Sequence, residues 1–583
     1  MKTLQARAKQ NSNRLAEAKA VSESLRSSTK PAATIYGTHW GHESKPEWHR
    51  FSTWADQFTS ATPAQKSRLI HEGVELAKER RLTMSNLIVS NPAAALAAAI
   101  PQDVRAELPE EVLAHSESRI SGIGNLQVFG VTPEEGTEST APLIQRQVQL
   151  GDQSYQAHTY GVLSRFGTVN DLYMHGVAVG DRIALADSPV RALEAGETVD
   201  VSLMADVAYD EARWAALGEE VSIAAAIGRA YENLGPKTML LIPVEFPDRA
   251  GSPWSSTAVR DSRISNIQDY FSNASYGKFT LPNIITASLQ LMDNNATYYA
   301  GDNYTTLRDH AVAKAITAVG NSTANYDFIS IIINHNLYPS WAGRGQIGAK
   351  YSLIDGYNYG SELDQRSGVY IHELGHNLGL WHANSWDPTS LDSDDSSGTA
   401  SEYGNRFDAM GDTWTYSYDQ LHFNASFKNA LSWLPDSCIT TVTTNVTLNL
   451  YAMDRTQVNN RTYAVKIPRD FTLGGVSKLD YWVEFRSRYP TVTTIRDGVL
   501  IYTANPTHDD GASMLLDMTP STRTALDSGL RINQSFTTAD FRWEITVNSQ
   551  SGSNDDSLIN VTISKRLHTI GPPLSRQHCR WIP

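Results

Sequence analysis

The sequence predicts an α+β chain of several domains, and three observations carry that reading. Its 583 residues exceed what a single core organises, so length alone sets a prior of roughly two to four domains. Helical periodicity early in the chain gives way to short strands, then to alternating strands and helices, and finally to strands almost throughout. A hydrophobic content of 41%, with 13 tryptophans, can fill sizeable cores. Four parts follow: 1–60, polar and irregular; 61–235, helical then β-rich; 236–435, a mixed α+β unit; and 436–583, a β-sandwich-like unit.

In the first part, Ser27-Ser-Thr-Lys-Pro31 reads as a linker, and the histidines of His39-Trp-Gly-His42 and Trp48-His49 as a loop anchored by tryptophans. Thr62-Pro63-Ala-Gln65 starts a helix, with Thr as N-cap, Pro at the first helical position and Gln as capping-box partner. It runs through Leu69, Val74 and Leu76 towards Leu87, and Pro92 opens a short alanine-rich helix. From about 124 to 205 short strands alternate with glycine turns such as Gly151-Asp-Gln and Gly180-Asp181-Arg. In the third part, 239–246 is an apolar strand and 262–271 a helix with Ile264, Ile267 and Phe271 on one face. A second amphipathic helix covers 305–319, 328–333 is a buried strand, and 345–350 is expected to be an edge strand. In the last part, 442–450, 481–485 and 541–547 read as strands of a β-sandwich.

The chemistry lies in His372-Glu-Leu-Gly-His376-Asn-Leu-Gly-Leu-Trp-His382. Histidines four apart stand one helical turn apart on the same face, where two imidazoles can share one divalent ion. Gly379 can end the helix in a left-handed conformation, letting the chain turn and bring His382 in as third ligand. Three protein ligands with an open position is the pattern of catalytic rather than structural zinc, and no cysteine is near. Glu373 can reach an activated water without ligating the ion. A different closure of the site uses Glu402, 26 residues after His376, as third ligand.

The stretch resembles the metzincin metallopeptidases, whose signature is H-E-x-x-H-x-x-G-x-x-H followed by a methionine turn. Glu402-Tyr-Gly-Asn-Arg-Phe-Asp408-Ala-Met410-Gly411 places Met410 28 residues beyond His382, where it would floor the site. That segment is similar to the methionine turn of the gametolysin-type family. Thr238-Met-Leu-Leu-Ile-Pro-Val-Glu-Phe-Pro-Asp248, Tyr270-Phe-Ser-Asn-Ala-Ser-Tyr-Gly-Lys-Phe279 and Phe423-Asn-Ala-Ser-Phe-Lys-Asn-Ala-Leu-Ser-Trp433 agree with it. The resemblance covers about 236–435. It implies a metzincin-like catalytic domain at 236–435, flanked by an N-terminal α/β pro-region and a C-terminal β-sandwich. It also implies Zn2+ on His372, His376 and His382, with Glu373 as general base and then general acid. The activity implied is hydrolysis of peptide bonds in (glyco)protein substrates. The rival reading is an adhesion or matrix-binding protein with a secondary or inactive peptidase domain. Asp408 orients a ligand histidine or, with more weight, stabilises the turn. Tyr416 or Tyr418 could approach as an oxyanion donor.

A formal charge of −14 argues against a nucleic-acid partner. No apolar run reaches the ~18 residues of a membrane span. The resemblance implies an extracellular or cell-surface protein, although Met1-Lys-Thr-Leu-Gln-Ala-Arg-Ala-Lys-Gln-Asn11 lacks the apolar stretch of a secretory leader. Nine Asn-x-Ser/Thr sequons after residue 270 give that location weak support. Cys438 and Cys579 are the only cysteines; they either bridge the ends of the C-terminal region or stay two thiols. The carboxylates from Asp387 to Gly398 suit a calcium loop, but a solvated acidic loop is the weightier reading. A pro-region at 1–235 would have no cysteine to place on zinc, which leaves steric cover of the cleft as the preferred inhibition. Asp181 is weighed as an aspartate switch and preferred as a turn residue. Oligomeric state is not legible.

Overall fold

The computed structural model describes residues 35–133, 143–186, 233–355, 367–388, 398–468 and 480–566, with shorter gaps inside those ranges. The chain is a mixed α+β protein built on several sheets. Helices α1 (Pro46–Ser60), α2 (Pro63–Ser90) and α3 (Pro92–Ala97) open it, and α1 corrects the reading of 46–60 as irregular chain and of Trp48-His49 as loop, because Trp48, Phe51, Trp54 and Phe58 bury one helical face. Gln65 Oε1 accepts from Thr62 N at 3.0 Å and from Thr62 Oγ1 at 2.7 Å, so the capping signal at 62–65 does set the start of α2. Phe51, Trp54 and Phe58 pack with Ala77, Ile100, Leu108 and Val112 in a small core.

Arg80 on α2 is fully buried against Glu117, with Nη2 2.9 Å from Oε1, and Ile100 N also donates to that oxygen at 3.0 Å. Burial pushes the Glu117 carboxyl up, but the charge and hydrogen bonds of Arg80 outweigh it and bring the pKa down to about 2. A depressed carboxylate contributes stability above its unfolded pKa near 4.5 and loses it as pH falls through about 2. The shift corresponds to about 3 kcal/mol. Glu117→Gln is therefore expected to destabilise the helical region by a similar amount at pH 7. It should also flatten the acid limb of an unfolding profile between pH 4.5 and 2; an unchanged limb would remove Glu117 from that account.

Strands β1 (Ser118–Pro133), β2 (Ile144–Leu150), β3 (Gln153–His158), β4 (Leu172–Val179) and β5 (Arg182–Leu185) follow. Gly151 (φ +60°) and Gly180 (φ +66°) make the turns after β2 and β4. Asp181 sits exposed in that second turn, which supports the turn reading. Next come β6 (Gly235–Glu245), α4 (Thr257–Ala274), β7 (Phe279–Thr286), β8 (Gln290–Leu291) and α5 (Tyr304–Val319). Strands β9 (Phe328–Ile333), β10 (Trp341–Gln346) and β11 (Tyr351–Asp355) then lead to helix α6 (Ser367–Asn377).

All eleven strands form one sheet, in the order β2-β3-β5-β4-β1-β10-β11-β9-β6-β7 with β8 beside β6. Strands β6, β7, β9 and β11 run parallel, and the inner three, β6, β9 and β11, bury both faces. Accordingly Met239, Leu241, Phe328 and Ile332 point to the side of α4 and α6, with Ile267, Phe271, Ile371 and Leu374. Their neighbours Leu240, Ile242, Ile329, Ile331 and Ile333 face α5, with Leu307, Ala311 and Ala315. One expectation is corrected: the strand in this stretch is Trp341–Gln346, not 345–350, which begins at its end and continues through a turn, and β11 follows before α6. It is not an edge, because β1 pairs along it.

The C-terminal part holds an eight-stranded and a four-stranded sheet. Val465, Val483 and Ile501 from the first share a core with Ile545, Val561 and Ile563 from the second, in the manner of a sandwich. The first sheet includes β12 (Ala383–Asp387), which pairs in parallel with Ser513–Leu516. Cys438 is buried and bridged to no cysteine among the described residues, its thiol donating to Asn459 O; Cys579 lies outside them. Asn424, a sequon residue, is buried and its amide donates to Asp408 Oδ2 and Ser513 Oγ.

Candidate metal centre

Helix α6 is buried along its whole length, and its C-terminus is closed by a Schellman motif. Gly379 takes φ +96° and its N–H donates to His376 O at 2.7 Å, while Leu380 N donates to Gly375 O at 3.0 Å. That reversal sends Leu380 O back over the helix, where it accepts from His376 Nδ1 at 2.8 Å. It also carries the chain to His382, immediately before β12. The result is three imidazoles facing one point. His376 Nε2 lies 3.0 Å from His372 Nε2 and 3.2 Å from His382 Nε2.

Each ring is held from behind through its Nδ1, two of them by carbonyls that can only accept. His372 Nδ1 faces Ala409 O at 2.8 Å, His376 Nδ1 faces Leu380 O, and His382 Nδ1 faces Glu402 Oε1 at 2.6 Å. The Nδ1 atoms of His372 and His376 therefore carry the protons, and their Nε2 atoms turn lone pairs towards each other. Burial, then the neighbouring histidines, holds His372 and His376 well below the ordinary imidazole pKa, so protons do not relieve that repulsion at neutral pH. A divalent cation does. The three are the one group of metal-ligating side chains so gathered among the described residues.

Glu373 is buried beside them. Its Oε1 accepts from Thr132 Oγ1 at 2.6 Å, and its Oε2 has no hydrogen-bond partner among the described residues. Burial raises the carboxyl well above its usual range, against the pull of Thr132 and Arg344. Strand β10 presses on it: a methyl added at Gly343 would fall 2.2 Å from Oε1. Met410 packs under the helix, its sulfur 2.3 Å from where a methyl at Gly375 would stand. Asp408 holds that turn, accepting from Met410 N at 2.8 Å and Asn424 N at 2.7 Å. Its carboxyl is pushed up to about 6 by burial, opposed by Arg486.

The geometry brings His372, His376, His382, Glu373 and Met410 together. Glu402 stands behind His382, at Nδ1, and not with the Nε2 atoms. Tyr416 lies outside the described residues, and Tyr418 packs against the core under α6. The tyrosine at the site is Tyr403, its hydroxyl 2.7 Å from His382 Nε2 and bonded to Val131 O. Nothing in the sequence singles out Tyr403 or Thr132; their positions come from long-range packing. Most of the acidic loop weighed for calcium lies outside the described residues, and calcium gains no support.

Residues 257–415, which contain all five residues, match the family model of the gametolysin peptidases, M11. The match supports a metallopeptidase with a protein substrate, and the family implies a metal that the histidine trio could hold. No curated protein matches the chain. Among solved structures, wild-type OgpA from Akkermansia muciniphila is similar at 12% identity, over 48% of this chain and 92% of that one, with a TM-score of 0.24. Catalytically inactive OgpA from the same organism, in complex with an O-glycopeptide (glycodrosocin) substrate, is similar at 12% identity. It covers 48% of this chain and 91% of that one, with a TM-score of 0.23. No helix among the described residues is long and apolar enough to cross a membrane.

Proposed function

We propose that this chain, gametolysin-like over 257–415, is a zinc-dependent endopeptidase of metzincin type that cuts (glyco)protein substrates. The observation that carries the reading is the convergence of three imidazoles on one point with Glu373 beside it. Nitrogen ligands in a trio with an open position suit catalytic zinc, which when bound supplies Lewis acidity and an activated water. The remaining work falls to the chain. Glu373 takes the proton of the attacking water and passes it to the leaving amine, a transfer for which its Oε1 is open once Thr132 no longer holds it. Tyr403, beside His382 Nε2, is placed to donate to the carbonyl oxygen as charge develops there. Strand β10 would offer its backbone to an extended substrate once β1 no longer pairs along it. Residues 236–435 would be the catalytic domain, 1–235 a pro-region and 436–583 a C-terminal domain, in a protein that acts outside the cell or at its surface.

Casein or gelatin digestion by zinc-loaded, N-terminally processed protein tests this. Cleavage is expected, and 1,10-phenanthroline should stop it. A zinc-loaded, processed preparation that cuts neither substrate would favour the binding-protein reading instead.

A further inference from the structure

The three ligand histidines are 0–2% exposed and Glu373 is fully buried, which no substrate could reach as they stand. What covers them is β1. Its last residues run antiparallel along β10, with Phe129 opposite Gln346, Gly130 opposite Gly345, Val131 opposite Arg344 and Thr132 opposite Gly343. Side chains alternate along the strand. Phe129 and Val131 are sunk in the core beside Leu240 and Tyr304, with Phe129 under the Arg344 guanidinium at 3.9 Å. Gly130 and Thr132 face the site. A methyl on Gly130 would fall 2.1 Å from His376 Nε2, so only glycine lets this backbone lie so close to the trio. Thr132 Oγ1 is on Glu373 Oε1, and the Val131 carbonyl accepts from Tyr403.

We infer that β1 is a substrate-like strand lodged in the cleft, which keeps the unprocessed chain inactive. The inference rests on the peptidase reading above. The Val131–Thr132 peptide stands where a bond to be cut would stand: its carbonyl is on Tyr403, beside His382. It survives because the Thr132 hydroxyl takes the place on Glu373 that the attacking water needs. Inhibition thus uses a hydroxyl and main-chain pairing and needs no cysteine. Since β1 also pairs with β2 and β4, a cut in the chain after β5 is not enough; the strand itself must leave β10. The groove it vacates fits an extended segment with bulky apolar residues at the Phe129 and Val131 positions and glycine between them.

The test uses the full-length chain, zinc-loaded, as wild type, Gly130→Val and Thr132→Val. Three readouts are taken: amide exchange at 341–346, the rate at which a chelator removes the metal, and cleavage of a fluorogenic peptide carrying Phe-Gly-Val. Wild type should show slow exchange, slow metal loss and little cleavage. Crowding His376 in Gly130→Val should raise all three about tenfold or more. Thr132→Val keeps the shape and loses one hydrogen bond to a carboxylate, which corresponds to about tenfold more open chain. It decides the matter if Gly130→Val does not fold. Wild type that cuts as fast as the variants while 341–346 stay protected would overturn the inference, making β1 a permanent part of the enzyme. Variants that expose 341–346 and release metal without cleaving would uphold β1 as the cover and sink the peptidase reading.

Discussion

Glu373→Gln, in processed enzyme, is expected to lose about 10²–10⁴-fold in turnover while keeping its metal and its fold. Gln matches Glu in shape and fills the same space between α6 and β10, where Gly343 leaves no slack. Its amide oxygen can still accept a hydrogen bond, as Oε1 does from Thr132. What it cannot do is take a proton. The three Nε2 atoms do not depend on Glu373, since each ring is held through its Nδ1 by Ala409 O, Leu380 O or Glu402. Metal content and turnover should therefore separate cleanly. If bound zinc falls in step with activity, Glu373 is part of the metal site or of its scaffold, and its role as base is wrong.

His382→Ala is expected to produce the second large effect, this time on the metal itself. Removing one of three nitrogens should weaken zinc far more than losing the group behind it. Glu402→Gln removes the charge that orients His382, for which about 10–100-fold in affinity is typical. The two variants must therefore rank with His382→Ala worse, measured by competition with a zinc-binding dye. The opposite ranking, full affinity in His382→Ala and none in Glu402→Ala, would make Glu402 the third ligand and β12 a mere connection.

How legible all this was depended on distance along the chain. His372, His376, Gly379 and His382 lie within eleven residues, so one helix and one turn suffice to assemble them and their spacing announces the site. Residues 328–333 read as a buried strand because an unbroken apolar run is what a strand covered on both faces requires. Thr62 to Gln65 read as a helix start because capping is local. Strand β10 did not. Trp341-Ala-Gly-Arg-Gly-Gln346 shows no alternation, since its glycines are there to admit Glu373 and not to face a core. Its occupied edge was also hidden. Thr132 and Glu373 are 241 residues apart, and Tyr403 and Val131 are 272 apart; no local pattern records such pairings. The same holds where β12, starting one residue after His382, pairs with 513–516. The pattern of residue types singled out the three histidines; tertiary packing decided what surrounds them.

Peptide-bond cleavage is expected to depend on one metal ion held by His372, His376 and His382. The direct measurement strips processed enzyme with a chelator, returns zinc in measured fractions of an equivalent, and assays cleavage at each step. Activity should rise linearly and level off at one zinc per chain, with no such rise in His382→Ala. Cleavage that persists in the stripped enzyme, or that never returns once one zinc is bound, would contradict the account.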